Sequence, residues 1–329
     1  VNNLNNNLQI VRYEKMTFKE AIRKYNVVIT LITLIVIATV LTKGLFLTTG
    51  NLLNVGERAS IVGIVALGQM LVILTGGIDL SVGSIIAISF TLLGTLSNRG
   101  LSIPLVIIIT IIVGTIVGLI NGILISKTRV PAFMVTLGTM TFFFSLALFL
   151  TGAKQLSYVR VQDFLNSILK LDGFGSRIFP TVTWIILSVI IIIILSRTTF
   201  GHNIYAVGGK ELAATLSGIN TGRVKMIVYS LSGLFCSIAA IIIAYRLRAS
   251  NPDSGMGYQL ESIAAVIVGG TNVMGGEGNV YGTFIGAIIM ATMVNLLNLL
   301  NVDPFIQDAI KGLMLLFFVY LIQVLSKRQ

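Results

Sequence analysis

The feature that most constrains this chain is a succession of apolar runs, each near the roughly 20 residues a helix needs to cross a hydrocarbon layer about 30 Å thick. They fall at approximately 27–47, 59–76, 79–97, 103–126, 131–151, 180–196, 226–245, 258–274, 280–300 and 305–325. Of the 329 residues, 55% are hydrophobic and 11% charged, a balance that excludes an ordinary soluble fold. The expectation is an all-α integral membrane protein, a polytopic bundle of about ten transmembrane helices. Two very short Gly-rich connections, Gly76 to Asp79 and Gly275 to Asn279, allow broken or re-entrant elements buried in protein, so eight to ten spans is the expected range.

Basic residues orient the bundle. Arg12, Lys15, Lys19, Arg23 and Lys24 precede the first span, and Lys327 and Arg328 follow the last, which predicts that both termini are cytoplasmic. The net charge of +11 thus reads as membrane orientation rather than affinity for nucleic acid. Residues 1–26 form a cytoplasmic N-terminal segment, in which 16–26 predict an amphipathic surface helix and Met16 is a candidate start. Residues 27–325 form a single transmembrane domain and 326–329 a cytoplasmic tail. The longest connections, an outer loop at 152–179 and an inner loop at 197–225, are too short for a folded domain. Any catalytic or recognition domain therefore belongs to another chain.

Familiar chemistry is missing. The chain has one cysteine, Cys236, and one histidine, His202, so no internal disulfide and no His/Cys metal site is expected. The fragment Gly208-Gly209-Lys210-Glu211 lacks the upstream glycine and the hydroxyl residue of a phosphate-binding loop, and neither a nucleophile elbow nor HExxH occurs. No catalytic residue and no cofactor bound by this chain is expected.

The remaining candidates are polar groups inside apolar runs. Asp79, in Gly76-Gly77-Ile78-Asp79-Leu80-Ser81, either caps the following helix or serves transport directly, and the two are compatible. A related pattern, Gly269-Gly270-Thr271-Asn272, recurs 193 residues later and suggests an internal repeat without establishing one. Gln69, Thr136, Thr139, Thr141, Asn295 and Asn298 face other helices or line a pathway. Gly76, Gly77, Asp79, Ser81, Gln69, Thr136, Thr271 and Asn272 are thus the pathway or gating candidates. Gly114 with Gly118, and Gly282 with Gly286, favour close helix contact. Asp308 and Lys311, three apart, form a structural pair. Arg246 and Arg248 near Asp253 and Glu261 form an outer charged rim, either solvated or complementary to a partner. In the inner loop, Lys210–Leu216 predicts a short helix bracketed by glycines, with an apolar surface suited to docking into a partner's groove.

Several stretches carry a resemblance. Glu211-Leu212-Ala213-Ala214 followed by Ser217-Gly218-Ile219 resembles the EAA-type coupling loop of ABC importer permeases, in the form of the ribose, galactose, arabinose and xylose branch. LTGGIDLSVG (Leu74 to Gly83), VPAFMVTLGTM (Val130 to Met140), TTFGHNIYAVGG and ESIAAVIVGGTNVMGGEGNVYGTFIGA (Glu261 to Ala287) are similar to the same branch, in the expected order over most of the chain. Leu212 stands where that family usually has alanine, and Gly218 follows Glu211 by seven residues rather than six. The resemblance implies a permease subunit in the cytoplasmic (inner or plasma) membrane that moves a simple sugar or sugar-like solute. Its implied partners are an ATPase subunit carrying ATP and magnesium, an extracytoplasmic sugar-binding protein and a second permease chain, identical or paralogous. The ATPase would dock on Glu211, Leu212, Ala213, Ala214, Ser217 and Gly218. The alternative is an ion-coupled secondary transporter using Asp79 or Asp308.

Overall fold

The computed structural model describes residues 18–128, 130–170, 173–313 and 316. Each of the ten apolar runs contains a helix. In chain order the labelled helices, including three that lie between runs (α6, α8 and α9), are α1 (Phe18–Leu41), α2 (Thr49–Leu74), α3 (Val82–Asn98), α4 (Ile103–Lys127), α5 (Ala132–Thr151), α6 (Val159–Leu169), α7 (Gly173–Arg197), α8 (Thr199–Gly209), α9 (Glu211–Leu216), α10 (Thr221–Leu247), α11 (Tyr258–Val268) and α12 (Val280–Leu299). Residues 304–313 are also helical. Among the described residues six helices, α2, α4, α5, α7, α10 and α12, are long and apolar enough to cross a membrane. The fold is therefore an all-α membrane bundle, with α3 and α11 as shorter apolar members.

Several boundaries differ from the sequence reading, each for a physical reason. The first span ends at Leu41 rather than 47, because the left-handed Gly44 (φ 86°) diverts the chain into a 3-10 turn at Leu45–Leu47. Helix α1 runs unbroken from Phe18 to Leu41, so residues 18–26 of the expected surface helix continue into the span, while residues 1–17, with the candidate start Met16, lie outside the described residues. Helix α2 starts ten residues earlier than expected and carries Glu57 and Arg58 within it, because both charges are ion-paired. Helix α7 starts at Gly173 and holds Pro180 inside. The run 258–274 is helical only to Val268, where a glycine pair ends it. The outer connection holds α6 and a two-residue strand, β1 (Leu156–Ser157), antiparallel to β2 (Ala249–Ser250) with Leu156 opposite Ser250. The part of the last run beyond 313 lies outside the described residues, apart from 316.

Helix α2 is the central post, packed against α7, α10, α11 and α12. Around it, α4 and α7 present exposed isoleucine and valine rows, Ile108, Ile112 and Ile116 on one and Ile185, Val189 and Ile193 on the other. Such rows suit lipid tails, which give helices no hydrophobic reason to associate, so close van der Waals packing must hold the bundle. Glycines supply it. A Cβ on Gly118 of α4 would overlap the Tyr229 carbonyl of α10, and one on Gly233 of α10 would overlap the Gly114 carbonyl. The α11–α12 seam repeats the device: Gly282 and Gly286 pack on the carbonyls of Gly269 and Ala265.

Candidate functional site

Two interruptions lie inside this bundle. At the first, α2 ends in a Schellman turn: Gly76 N donates to Ile73 O (2.8 Å) and Gly77 N to Val72 O (3.2 Å), with Gly76 at φ 79°. The chain then turns back so that Asp79 lies fully buried beside Gln69 and Ser232. Ser232 is eleven residues into α10, roughly 16 Å along its axis. One carboxylate oxygen of Asp79 accepts from Ser81 N (2.9 Å) and Ser81 Oγ (2.6 Å), the other from Ser232 Oγ (2.9 Å). The Gln69 amide, oriented to donate through Nε2 and accept through Oε1, bonds Asp79 O (3.1 Å) and Asp79 N (3.2 Å).

The network extends outward. Asn121 of α4 donates to Ser81 Oγ (2.8 Å) and accepts from Thr139 of α5 (2.7 Å). Thr136 of α5 accepts from Leu80 N (3.1 Å) and donates to Ile78 O (3.2 Å). Backbone freed by the break is thus satisfied by side chains from neighbouring helices, the condition for irregular chain at membrane depth. Asp79 accepts from Ser81 N in the turn that leads into α3, whose first turn has no side-chain cap, and it also joins that turn to α10. Gln69, Ser81 and Thr136 converge on the same turn. Thr141 stays apart, donating only to Leu137 O of its own helix.

The second interruption repeats the backbone logic. Helix α11 ends in another Schellman turn, with Gly270 N to Ile267 O (2.9 Å), Thr271 N to Val266 O (3.2 Å) and Gly270 at φ 87°. Asn272 Oδ1 then accepts from Met274 N (3.0 Å), two residues on, as Asp79 accepts from Ser81 N. The Asx turn comes one residue sooner after the left-handed glycine than in the first break, so the two share a motif without a residue-for-residue register. Thr271 is fully buried, and its Oγ1 has no hydrogen-bond partner among the described residues.

The segment 197–225 folds as two short helices. Thr198 Oγ1 caps α8 through Gly201 N (3.1 Å). Helix α9 spans Glu211–Leu216 and stops at a Schellman turn on Gly218 (φ 85°), with Gly218 N to Thr215 O and Ile219 N to Ala214 O, both 3.0 Å. Ala214 is buried against the bundle, whereas Leu212 is 67% and Leu216 80% exposed. Ala213 is exposed, and its carbonyl accepts from Ser217 Oγ (2.9 Å). Glu211 binds Lys225 Nζ of α10 at 2.6 Å. Between α9 and the first break lies a cavity of 480 Å³ whose wall includes Gly76, Gly77, Lys210, Lys225, Tyr229 and Met274.

At the other end of the bundle, charges are paired internally. Glu57 is held by Arg177 (2.9 Å) and Arg246 (3.0 Å), and Glu261 by Arg58 (2.9 Å) and Lys311 (2.9 Å). Lys311 also meets Asp308 at 2.9 Å. Arg246 and Glu261 of the expected rim are therefore tied into the bundle. Sequence reasoning did not reach Asn51, Glu57, Arg58, Asn121 or Ser232. Asn121 carried one signal, its place among Gly114, Gly118 and Gly122 on α4. Asn51 carried none; it exchanges two hydrogen bonds (3.0 and 2.8 Å) with Asn295, 244 positions away.

No group of three or more His, Cys, Asp or Glu side chains positioned to hold a metal occurs among the described residues. Comparison with known proteins now places the chain. Residues 51–319 match the model of a family described as branched-chain amino acid transport system / permease component. The chain belongs to that family. It is 41% identical to the Ribose import permease protein RbsC of Bacillus subtilis, over 94% of this chain and 95% of the relative. It is 37% identical to the L-arabinose transport system permease protein AraH of Escherichia coli over 82% of each chain. It is also 32% identical to the D-allose transport system permease protein AlsC of the same species, over 95% of this chain and 96% of the relative. No solved structure matches. The chain is accordingly a multi-pass membrane permease of a transporter family, and both interruptions and the α8–α9 segment lie inside the matched region.

Proposed function

We propose that this chain is the transmembrane permease subunit of a binding-protein-dependent ABC importer in the inner or plasma membrane, translocating a pentose, a hexose or a sugar-like solute. In this reading α9 lies on the cytoplasmic side, as do both termini, and receives a separate ATPase subunit that carries ATP and magnesium. A second permease chain completes the pore, and an extracytoplasmic binding protein delivers the solute. Residues 27–325 act as one permease unit. ATP binding and hydrolysis bias the permease between states that the ATPase binds differently.

The observation that carries the reading is α9 itself: a glycine-terminated helix anchored by Ala214 and the Glu211–Lys225 pair, with Leu212 and Leu216 turned to solvent. Two exposed leucines beside an intact helix are the apolar anchors that groove docking uses. The names of the relatives support the sugar class, and they do not favour the ion-coupled alternative.

The test is purification of the chain from its native cell in mild detergent, with mass spectrometry and an ATPase assay. A nucleotide-binding subunit is expected in the eluate and is expected to be lost with Gly218→Arg, where a side chain must adopt φ 85°, and with Glu211→Lys, which opposes Lys225. Both variants should remain in the membrane. Recovery of the chain alone, moving solute under an ion gradient without ATP, would overturn the proposal in favour of a secondary transporter.

A further inference from the structure

We propose that the backbone contact of Gly208 with Leu74 and Gly276 is the joint that transmits movement of α9 to both interruptions of the bundle, a positioning role for residues outside the docking helix. The inference rests on the reading of α9 as the ATPase-docking helix.

Three segments meet at this joint with no side chain between them. Gly208 lies in the last turn of α8, two residues before Lys210, the residue that immediately precedes α9. A Cβ on Gly208 would overlap the Leu74 carbonyl at the end of α2 and stand 2.5 Å from Gly276 N in the second interruption. Gly276 N itself donates to Leu74 O (3.0 Å), binding the two interruptions to each other. A Cβ on Gly275 would stand 2.8 Å from Gly76 N and 3.0 Å from Gly208 O, so that glycine closes the same contact from the other side. Tyr205, one turn earlier in α8, adds a second tie by donating to Gly278 O (2.9 Å).

The mechanical consequence follows from close packing. Side chains between two elements can absorb a shift by changing rotamer, but bare backbone in contact cannot, so a displacement of α8 passes to its neighbours. Here the neighbours are the Schellman turn that sets up Asp79 and the loop that carries Asn272. Helix α9 is also tied to α10 through Glu211–Lys225, and α10 meets the first interruption through Ser232, so movement passed by the joint is distinguished at the second interruption. A coupling claim needs an element that both sites bias, and the α8 end is the segment in contact with all three. Its sequence neighbour supplies a control: Gly209 has nothing within 4 Å of a built Cβ and no left-handed φ.

The experiment reads nucleotide-driven change at the second interruption and needs no solute. Met274, 82% exposed, is replaced by cysteine in a Cys236→Ser background, and its maleimide labelling rate is measured in the purified complex without nucleotide and with ATP and vanadate. With the joint intact, the rate is expected to change roughly 5-fold or more, the low end of typical coupling energies. With Gly208→Ala, the change is expected to fall below about 2-fold while the ATPase subunit still co-purifies. With Gly209→Ala it is expected to persist. A full response in Gly208→Ala, an equal loss in Gly209→Ala, or no response in the parent complex would overturn the joint. Should Gly208→Ala not reach the membrane, Tyr205→Phe decides the matter, a weakened response supporting the joint and an unchanged one overturning it. Absence of any ATPase subunit from the parent preparation is a different failure, that of the α9 reading, and removes the joint's role with it.

Discussion

Asp79 is a carboxylate at full burial with three hydrogen bonds, and none of its donors is a cation. Its geometry separates two roles that the sequence left together. Asparagine can accept from Ser81 N through its oxygen and turn its NH₂ toward Ser232 Oγ, whereas leucine leaves those donors buried without an acceptor at about 1–3 kcal/mol each. Asp79→Asn should therefore keep a melting temperature in detergent near the parent's, and Asp79→Leu should melt well below it. Uptake of labelled D-ribose, L-arabinose and D-allose then isolates the charge: the capping role predicts that the asparagine variant transports, and equal loss in both variants would show that the negative charge is itself required. Asp79 could be found in the sequence because an ionisable residue between apolar runs is conspicuous. Ser232 could not, and Asn121 showed only its place among the α4 glycines, because each looks like an ordinary polar residue in its own helix until a turn from 40 or more positions away is packed against it.

Among elements, the α4–α10 seam shows how far local pattern reaches. The spacing of Gly114 and Gly118 announced close contact, and the structure supplies the partner, the backbone of α10 from Tyr229 to Gly233. Because lipid gives these helices no hydrophobic drive to associate, removing close approach removes much of what holds them together. Gly118→Leu is expected to force the helices apart and cost at least the roughly 1–3 kcal/mol of an overpacked core, read as loss of the monodisperse peak in size-exclusion chromatography. Gly138→Leu on α5, where nothing lies within 4 Å of a built Cβ, should elute as the parent does; equal damage from both would mean that the seam has no special role. What the apolar runs failed to mark were helix ends. Helix α2 passes through Glu57 and Arg58 because partners 120 or more positions away neutralise them, and α11 stops at Val268 although apolar residues continue, because Gly270 takes a left-handed turn. Hydropathy registers neither distant counter-charges nor backbone hand.

At the scale of the whole molecule the two ends are built differently. At the end away from α9, Glu57 and Arg58, adjacent on α2, are the hub of two clamps: Glu57 draws in Arg177 of α7 and Arg246 of α10, and Arg58 shares Glu261 of α11 with Lys311. Four helical segments, α7, α10, α11 and 304–313, are thereby fastened to two adjacent residues of the central post. At the α9 end glycine backbone in direct contact takes the place of ion pairs, and cavities of about 480 and 430 Å³ lie at the α9 end and beside the Arg58–Glu261–Lys311 cluster. The two ends are thus held by different means, ion pairs at one and bare backbone at the other. The clamp can be unfastened by a single change. The Glu261 side chain is 4% exposed, with Arg58 at 22% and Lys311 at 15%, so Glu261→Gln leaves two cations facing each other and should cost about 3 kcal/mol, the low end for breaking a buried pair. A lowered melting temperature in detergent is the expected result, partly recovered by Glu261→Gln combined with Lys311→Met, since the second change removes the cation that faces Arg58. Both variants should still bring down the ATPase subunit, because the hub lies some 17 residues of α2, roughly 25 Å, from the joint at Leu74. Unaltered melting of Glu261→Gln would mean that packing on α2 and α12 holds α11 in place without the ion pairs.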